Sequence, residues 1–514
     1  MLASVGWLNV SFFKRNKRRG RWSRRDTVLN LFSLLQEAAR ERPENVALVQ
    51  RDESYTYGDL HSEAFRLAED ITALHLGAGA KIGLMFANGP AYVASAFAVL
   101  AAGGVVVSIS PSANSSDVAD LARDMEVDGF CYSPRYEPLV CELSAGAPLR
   151  HGIFSGRDAL IIDRAKGLTR PERREALRKV NAATLRSSSG TTGRAKGIIV
   201  SHRSLLERAK TYCEAPPLDS ESAILWLRPM ARPEIYAFVM SAAKVVLGDA
   251  MDAQGTAELV RRHSITHIYA APIFYRTLLA EREVATDDFA GVKYFLTGGS
   301  ALGKSLADAF AARYGREIIE HYGLAECATV LINLSQRPDK RGSTGTPVRA
   351  EVKLAGVESV EGEAFGELLV RCGGMFEGYY EPWRLRDEIL EDGWFRTGDI
   401  ARRDADGYYW IIGRTKEVIN VAGVKVFPRD LEELLLSHPA VEEALVYGAP
   451  ERRFGEVPRA KVKLRAGASA TEKEILDFAN AKLSVFRMLR GVDFVNEIPK
   501  TPTGKPRRWV PAAE

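Results

Sequence analysis

Apolar residues recur along this chain with two alternating periods, one helical and one strand-like. Val28, Leu31, Phe32, Leu35, Ala38 and Ala39 fall at helical spacing and stop before Pro43, so a helix is expected there. Leu60, Ala64, Leu67, Ala68 and Ile71 make a second stripe within Asp59 to Leu74. Short apolar runs then read as strands: Ile82 to Phe86, Val105 to Ile109, and Gly129 to Tyr132. Helical patterns separate them at Ala91 to Ala102 and Ser116 to Met125. This βαβ rhythm predicts an α/β fold with largely parallel sheet and helices on both faces.

The rhythm resumes with strand runs at Ala183 to Leu185, Ile198 to Val200, Ile224 to Leu227, His267 to Tyr269 and Tyr294 to Leu296. After about residue 340 the texture changes to short strands and turns, among them Gly366 to Val370 and Tyr408 to Ile412. A compact α+β segment follows Gly413-Arg414-Thr415-Lys416, where the main boundary is expected. The resulting division is a basic tail over 1–26, a large domain over 27–412 and a small one over 413–514. Arg170 to Lys179 reads as a charged helix with a solvated face.

Composition narrows the function classes. At 514 residues the chain is too long for one hydrophobic core. Seventy Lys+Arg against 66 Asp+Glu give +4, so no nucleic acid or other polyanion is called for as partner. Much of the positive excess lies in Lys14 to Arg25, which has three readings. It could be a disordered solvated tail, a nucleic-acid or membrane-surface arm, or a twin-arginine signal at Ser23-Arg24-Arg25 whose apolar region is poor. No apolar stretch is long enough to span a membrane. Five cysteines without Cys-x-x-Cys spacing argue against a disulfide framework or zinc site and for a cytoplasmic location.

The chemistry concentrates in Ser187 to Gly197, Ser-Ser-Ser-Gly-Thr-Thr-Gly-Arg-Ala-Lys-Gly, lying between two strand runs. Its glycines let successive N–H groups point inward, its hydroxyls add donors, and Lys196 adds a point charge. A polyphosphate fits such a loop, yet the spacing departs from Gly-x-x-x-x-Gly-Lys-Ser/Thr. A flexible linker is the alternative, disfavoured by the Lys-Gly that runs straight into a β-branched segment.

Four more motifs follow in order. His321-Tyr322-Gly323-Leu324-Ala325-Glu326 is expected after a strand, and Trp394-Phe395-Arg396-Thr397-Gly398-Asp399 at a turn. Gly413 to Gly423 opens the last segment, and Pro499-Lys500-Thr501-Pro502-Thr503-Gly504-Lys505 closes it. Together, in this order and over roughly residues 28 to 508, they resemble the adenylate-forming superfamily of acyl-CoA synthetases, adenylation domains and luciferases.

That resemblance implies two doubly wound αβαβα subdomains plus a β-rich subdomain, followed by a small mobile α+β domain. It implies activation of a carboxylic acid by ATP to acyl-AMP and pyrophosphate, then transfer to CoA. On the same resemblance, Ser188, Ser189, Gly190, Thr191, Thr192, Gly193 and Lys196 would hold the β- and γ-phosphates, with Thr191 counted among the catalytic residues. Glu326 would hold Mg²⁺, Tyr322 would face adenine, and Gly298, Gly299, Ser300 and Gly323 would line the adenine and acyl pockets. Asp399 and Arg414 would bind the ribose, and Lys505 would bridge carboxylate and α-phosphate. Lys416 would be the hinge for rotation between half-reactions, and Gly423 would sit in a narrow pantetheine tunnel. Without the resemblance, Glu326 reads as a surface acid, Tyr322 as core packing, Asp399 as a turn residue and Lys505 as a solvated lysine.

Some positions depart from the superfamily pattern. Ala325 replaces the usual threonine and Ala195 the usual proline. Arg232 stands near a place where relatives often carry histidine or an aromatic residue beside the acyl pocket. It could meet a second carboxylate or polar group of the substrate, or pair with Glu234 and never touch substrate; the usual matching of arginines favours the latter. The acceptor stays open between CoA and the phosphopantetheine arm of an acyl carrier protein. A non-catalytic nucleotide-binding relative is a third reading, weakened by the presence of Lys505.

Overall fold

The structure is a computed structural model that describes residues 14–15, 22–23, 30–146, 148–166, 170–188, 196–360 and 363–498, with backbone only at 187–188 and 358–360. Ser189, Gly190, Thr191, Thr192, Gly193 and Lys505 lie outside the described residues, as does the side chain of Ser188. Within the basic segment, Lys14–Arg15 pairs antiparallel with Trp22–Ser23.

Two nine-stranded sheets dominate. In the first, Ala182–Ser188, Val105–Ser108, Lys81–Met85 and Gly129–Tyr132 run parallel. In the second, Ile318–Leu324, Tyr294–Gly298, His267–Ala270, Ala223–Trp226, Lys244–Leu247 and Val46–Gln50 run parallel. Antiparallel strands close both edges of each, including the hairpin of Ala182–Ser188 with Lys196–Ser201 on either side of the expected phosphate loop. The expected mixed α/β architecture is therefore present. Helix Pro90–Ala101 is buried on every face from Pro90 to Leu100, because residues of both sheets share its hydrophobic cluster. The first two expected helices are Phe32–Glu41 and Tyr57–Ala73, and all five stripe residues of the second are buried.

Three local expectations are corrected. The Thr-Gly-Asp motif lies inside strand Phe395–Arg403 rather than at a turn. Opposite it, Glu367 pairs with Ile400 and Leu369 with Arg396, so Thr397, Gly398 and Asp399 together face Leu368 in a bulge. Gly398 has φ +71° there, a conformation glycine adopts without strain. The Tyr-Gly motif likewise begins within strand Ile318–Leu324 rather than after it. The helix Pro171–Lys179 is more than a solvated face. Arg170 and Arg173 pair with buried Glu126, and Arg174 reaches buried Asp128 at 2.6 Å. Buried carboxylates require such partners.

A four-stranded antiparallel sheet (Ala350–Val360, Glu363–Cys372, Phe395–Arg403, Tyr409–Arg414) leads to a final sheet. That last sheet holds Ile419–Val421, Val424–Val426, Val441–Glu451, Gly455–Leu464 and Val492–Phe494. It packs with helices Pro428–Leu436 and Glu472–Asn480 around a hydrophobic cluster of its own. Arg429 of the first helix donates to the Ile411 carbonyl and lies near buried Glu320. Burial pushes the Glu320 carboxyl up to about 7, opposed by the Arg429 charge and a 3.4 Å bond from Leu302 N–H.

Candidate active site

Neighbouring strands bring most of the described candidates to one place. Gly298 pairs with His321 across the parallel ladder, and Tyr322 follows immediately. The Tyr322 hydroxyl donates to Asp399 Oδ2 at 2.5 Å, while Arg414 Nε meets Asp399 Oδ1 at 3.0 Å. Burial, then the adjacent Asp399 charge, holds the Tyr322 phenol protonated far above its usual range. Asp399 N–H donates to Thr397 Oγ1 at 3.0 Å, and Thr397 in turn donates to Leu368 O at 2.7 Å. The bulge thus presents a carboxylate with each oxygen already matched.

A second cluster joins the two sides of the site. Glu326 Oε1 accepts from the Tyr379 hydroxyl at 3.0 Å, and Lys196 Nζ lies 4.8 Å from the centre of the Tyr379 ring. Buried Arg208 fixes this turn by donating to Glu326 O at 3.0 Å and Gly374 O at 2.7 Å. Sequence reasoning missed Tyr379 and Arg208, since neither lies near a recognisable motif. The adjacent Gly378-Tyr379-Tyr380 offered only a weak signal.

No group of three or more His, Cys, Asp and Glu forms a metal cage among the described residues. One carboxylate with no ion pair to a described side chain fits a Mg²⁺ held chiefly by phosphate oxygens and water, with Glu326 as its protein ligand.

The third cluster is built on the segment between strand Ala223–Trp226 and helix Glu234–Ser241. Asn88 clamps this segment, donating to Arg228 O at 2.7 Å and accepting from Met230 N–H at 2.9 Å. Arg228 donates to Gly298 O at 3.2 Å and lies 3.5 Å from Glu234 Oε1. Arg232 is 4.0 Å from the same oxygen. His321 Nδ1 meets Thr329 Oγ1 at 3.0 Å, and burial, then Arg228, lowers its pKa to about 3, so the ring is neutral. A Cβ on Gly298 would come within 2.4 Å of that ring. A Cβ on Gly323 would meet Ala328 O at 2.1 Å. Both glycines are thus accounted for by protein packing, whatever they present to a ligand.

The family models match in two parts. The model described as AMP-binding enzyme covers residues 35–380, and the AMP-binding enzyme C-terminal domain covers 430–505. The chain belongs to the AMP-binding enzyme family. Among its relatives, a feruloyl-CoA synthase of Amycolatopsis sp is 27% identical over 479 residues, covering 91% of this chain and 95% of that protein. A long-chain-fatty-acid–CoA ligase of Bacillus subtilis (strain 168) is 27% identical over 519 residues, covering 92% of each. The crystal structure of ATP-bound MatB from Rhodopseudomonas palustris superposes with a TM-score of 0.81 at 22% identity, covering 93% of this chain and 97% of that one. The adenylate-forming resemblance and its fold are therefore upheld. The two curated relatives name very different acids, so overall similarity leaves the substrate of this family member open.

The remaining candidates lie at the junction and beyond it. Lys416 is exposed in the short turn Thr415–Glu417 that follows the strand ending at Arg414. Gly423 sits in the two-residue turn joining Ile419–Val421 to Val424–Val426. Ala422 has φ +50° and Gly423 φ +89°, as a type I′ hairpin requires, and Asn420 Oδ1 accepts the Gly423 N–H at 2.8 Å. Nothing lies within 4 Å of a Cβ built on Gly423, so in this arrangement turn geometry, not crowding, favours glycine. Gly299 and Ser300 are exposed at the end of strand Tyr294–Gly298.

Proposed function

We propose that this protein is an AMP-forming acid–CoA ligase that couples a small-molecule carboxylic acid to CoA at the expense of ATP. The observation that carries the reading is a pair of clusters at the end of strand Ile318–Leu324, Tyr322 with Asp399 and Arg414, and Glu326 with Tyr379 and Lys196. In the first half-reaction a carboxylate oxygen attacks the α-phosphorus, the bond to the β-phosphate breaks, and pyrophosphate leaves. Positioning and neutralisation of charge supply most of the catalysis for such a transfer. Asp399 and Arg414 would hold the ribose, Tyr322 would face the base, and Lys196 with the loop at 188–193 would take the departing phosphates. Glu326 would hold Mg²⁺, which supplies charge neutralisation to the phosphates. Lys505 would meet carboxylate and α-phosphate together.

In the second half-reaction the CoA thiolate attacks the acyl carbon and AMP leaves. We place the domain boundary at Gly413–Lys416, with Lys416 as hinge and the Gly423 turn presented to the thiol. The separate hydrophobic cluster of the last sheet and the exposure of Lys416 support that division. We assign the protein to the cytoplasm, an assignment consistent with its five free cysteines. Among the described residues no helix is long and apolar enough to cross a membrane.

The test is carboxylate-dependent ATP–pyrophosphate exchange across a panel of acids, repeated with CoA and with a holo acyl carrier protein. Exchange followed by thioester formation on CoA is the expected result. Thioester formation on the carrier alone would reassign the acceptor, and absence of exchange with every acid would remove the ligase reading.

A further inference from the structure

Arg228 and Arg232 share a single carboxylate, Glu234, and Arg186 feels its charge. Glu234 is buried, its side chain 1% exposed, and its oxygens accept no hydrogen bond from another described residue. Two guanidiniums lie against it, at 3.5 and 4.0 Å. Arg186, on strand Ala182–Ser188, donates to Ala231 O at 3.4 Å and feels both Arg232 and Glu234. Burial alone would raise the Glu234 pKa, but Arg232 and Arg228 outweigh it and keep the carboxylate charged. With His321 neutral, this cluster holds three positive charges against one negative.

The three arginines differ in how they are satisfied. Arg228 is engaged by Glu234 and Gly298 O, and burial lowers its pKa to about 10. Arg186 is turned onto the backbone of the clamped segment. The Arg232 guanidinium makes no hydrogen bond to a described residue, its side chain is 32% exposed, and its Nη2 lies 3.9 Å from where a Gly299 Cβ would be. It shares the Glu234 carboxylate with Arg228, at 4.0 Å against 3.5 Å. The expected pairing of Arg232 with Glu234 is therefore present, but as one of two guanidiniums on a single carboxylate.

A surplus of two positive charges in a partly buried site is costly unless anions arrive to meet it. Arg232 is the member of the cluster open to solvent, so it is the one an incoming anion can reach. Resting on the acid-activation reading above, we infer that the substrate is an acid with a second anionic group, and that Arg232 is the residue that takes that group. A diacid supplies such a group, whereas unsubstituted fatty and aryl acids do not. Arg228, Glu234 and Asn88 act as positioning residues that hold Arg232 at the rim beside Gly299.

Pyrophosphate exchange with matched pairs tests the assignment in the full chain. Succinate is compared with butyrate, glutarate with pentanoate, and terephthalate with 4-methylbenzoate, for wild type, Arg232→Met and Arg232→Lys. A charge-assisted bond at one position corresponds to a preference of about 10–100-fold in kcat/KM for at least one diacid over its partner. Arg232→Met is expected to collapse that ratio toward one, and Arg232→Lys to keep part of it. Thermal unfolding of each variant checks that the fold survives, and the ratio within one variant is independent of the amount of active protein. Preference for the monoacid in every pair, or an unchanged ratio in Arg232→Met, overturns the inference while leaving the ligase reading intact. An ATP KM that rises equally with every acid assigns Arg232 to the nucleotide and overturns it too. Absence of exchange with any acid overturns both.

Discussion

The two ends of the site solve the same problem in opposite ways. At the nucleotide end, Asp399 is matched oxygen by oxygen, with Tyr322 on one side and Arg414 on the other. At the proposed acyl end, Glu234 receives no hydrogen bond from another described residue, and three guanidiniums share its surroundings. A matched group is ready for a ligand that is always the same. An unmatched set keeps its binding energy for a ligand that completes it. Glu320, on the same strand as Tyr322, shows a third solution: a buried carboxyl that answers burial by holding its proton.

Four measurements would break or sharpen this contrast. Lys505→Ala has the largest expected effect, a loss of about 10²–10³ in adenylation rate with ATP binding largely kept. Parallel loss of ATP binding, read by calorimetry, would move Lys505 into the nucleotide end.

Glu320→Gln comes next, through its pH dependence. The folded pKa of about 7 stands above an unfolded value of about 4.3, so this group's stabilising contribution is full below the unfolded value. It is lost as pH rises through 7, amounting to about 4 kcal/mol on the alkaline side. Thermal unfolding should therefore show wild type losing stability between pH 5 and 8.5 more steeply than Glu320→Gln. Identical profiles would mean that Glu320 is ionised throughout.

Asp399→Ala should raise the ATP KM by about 10–100-fold, since it removes charge-assisted bonds, while the ranking of acids stays as in wild type. A reordered acid ranking would show that the two ends are not separable. Tyr322→Phe is the smallest change, about 0.5–1.5 kcal/mol for one hydrogen bond. It should appear as a few-fold rise in ATP KM, and a larger effect would show that Asp399 depends on that hydroxyl for its position.

Much of this was legible before any coordinates. Helical and strand periods located Tyr57–Ala73, Pro90–Ala101 and the parallel strands, because burial of one face leaves its spacing in the sequence. The ordered motifs named Lys196, Glu326, Tyr322, Asp399 and Arg414, since their residue types answer to the chemistry of a nucleotide. The Thr-Gly-Asp segment misled because its composition is that of a turn, while its strand pairing depends on Leu368 some thirty residues upstream. Tyr379 and Arg208 were illegible for a similar reason: each acts on Glu326 across a long stretch of chain.

The sequence by itself determined the family and the alternating architecture, and it nominated the residues proposed for the nucleotide end, all from local patterns. Only the tertiary structure decided the charge balance at the acyl end. Arg186, Arg228, Arg232 and Glu234 come from a strand, a connecting segment and a helix start, and no spacing along the chain says that their charges share one space. Electrostatic energy depends on distance and burial, and folding sets both.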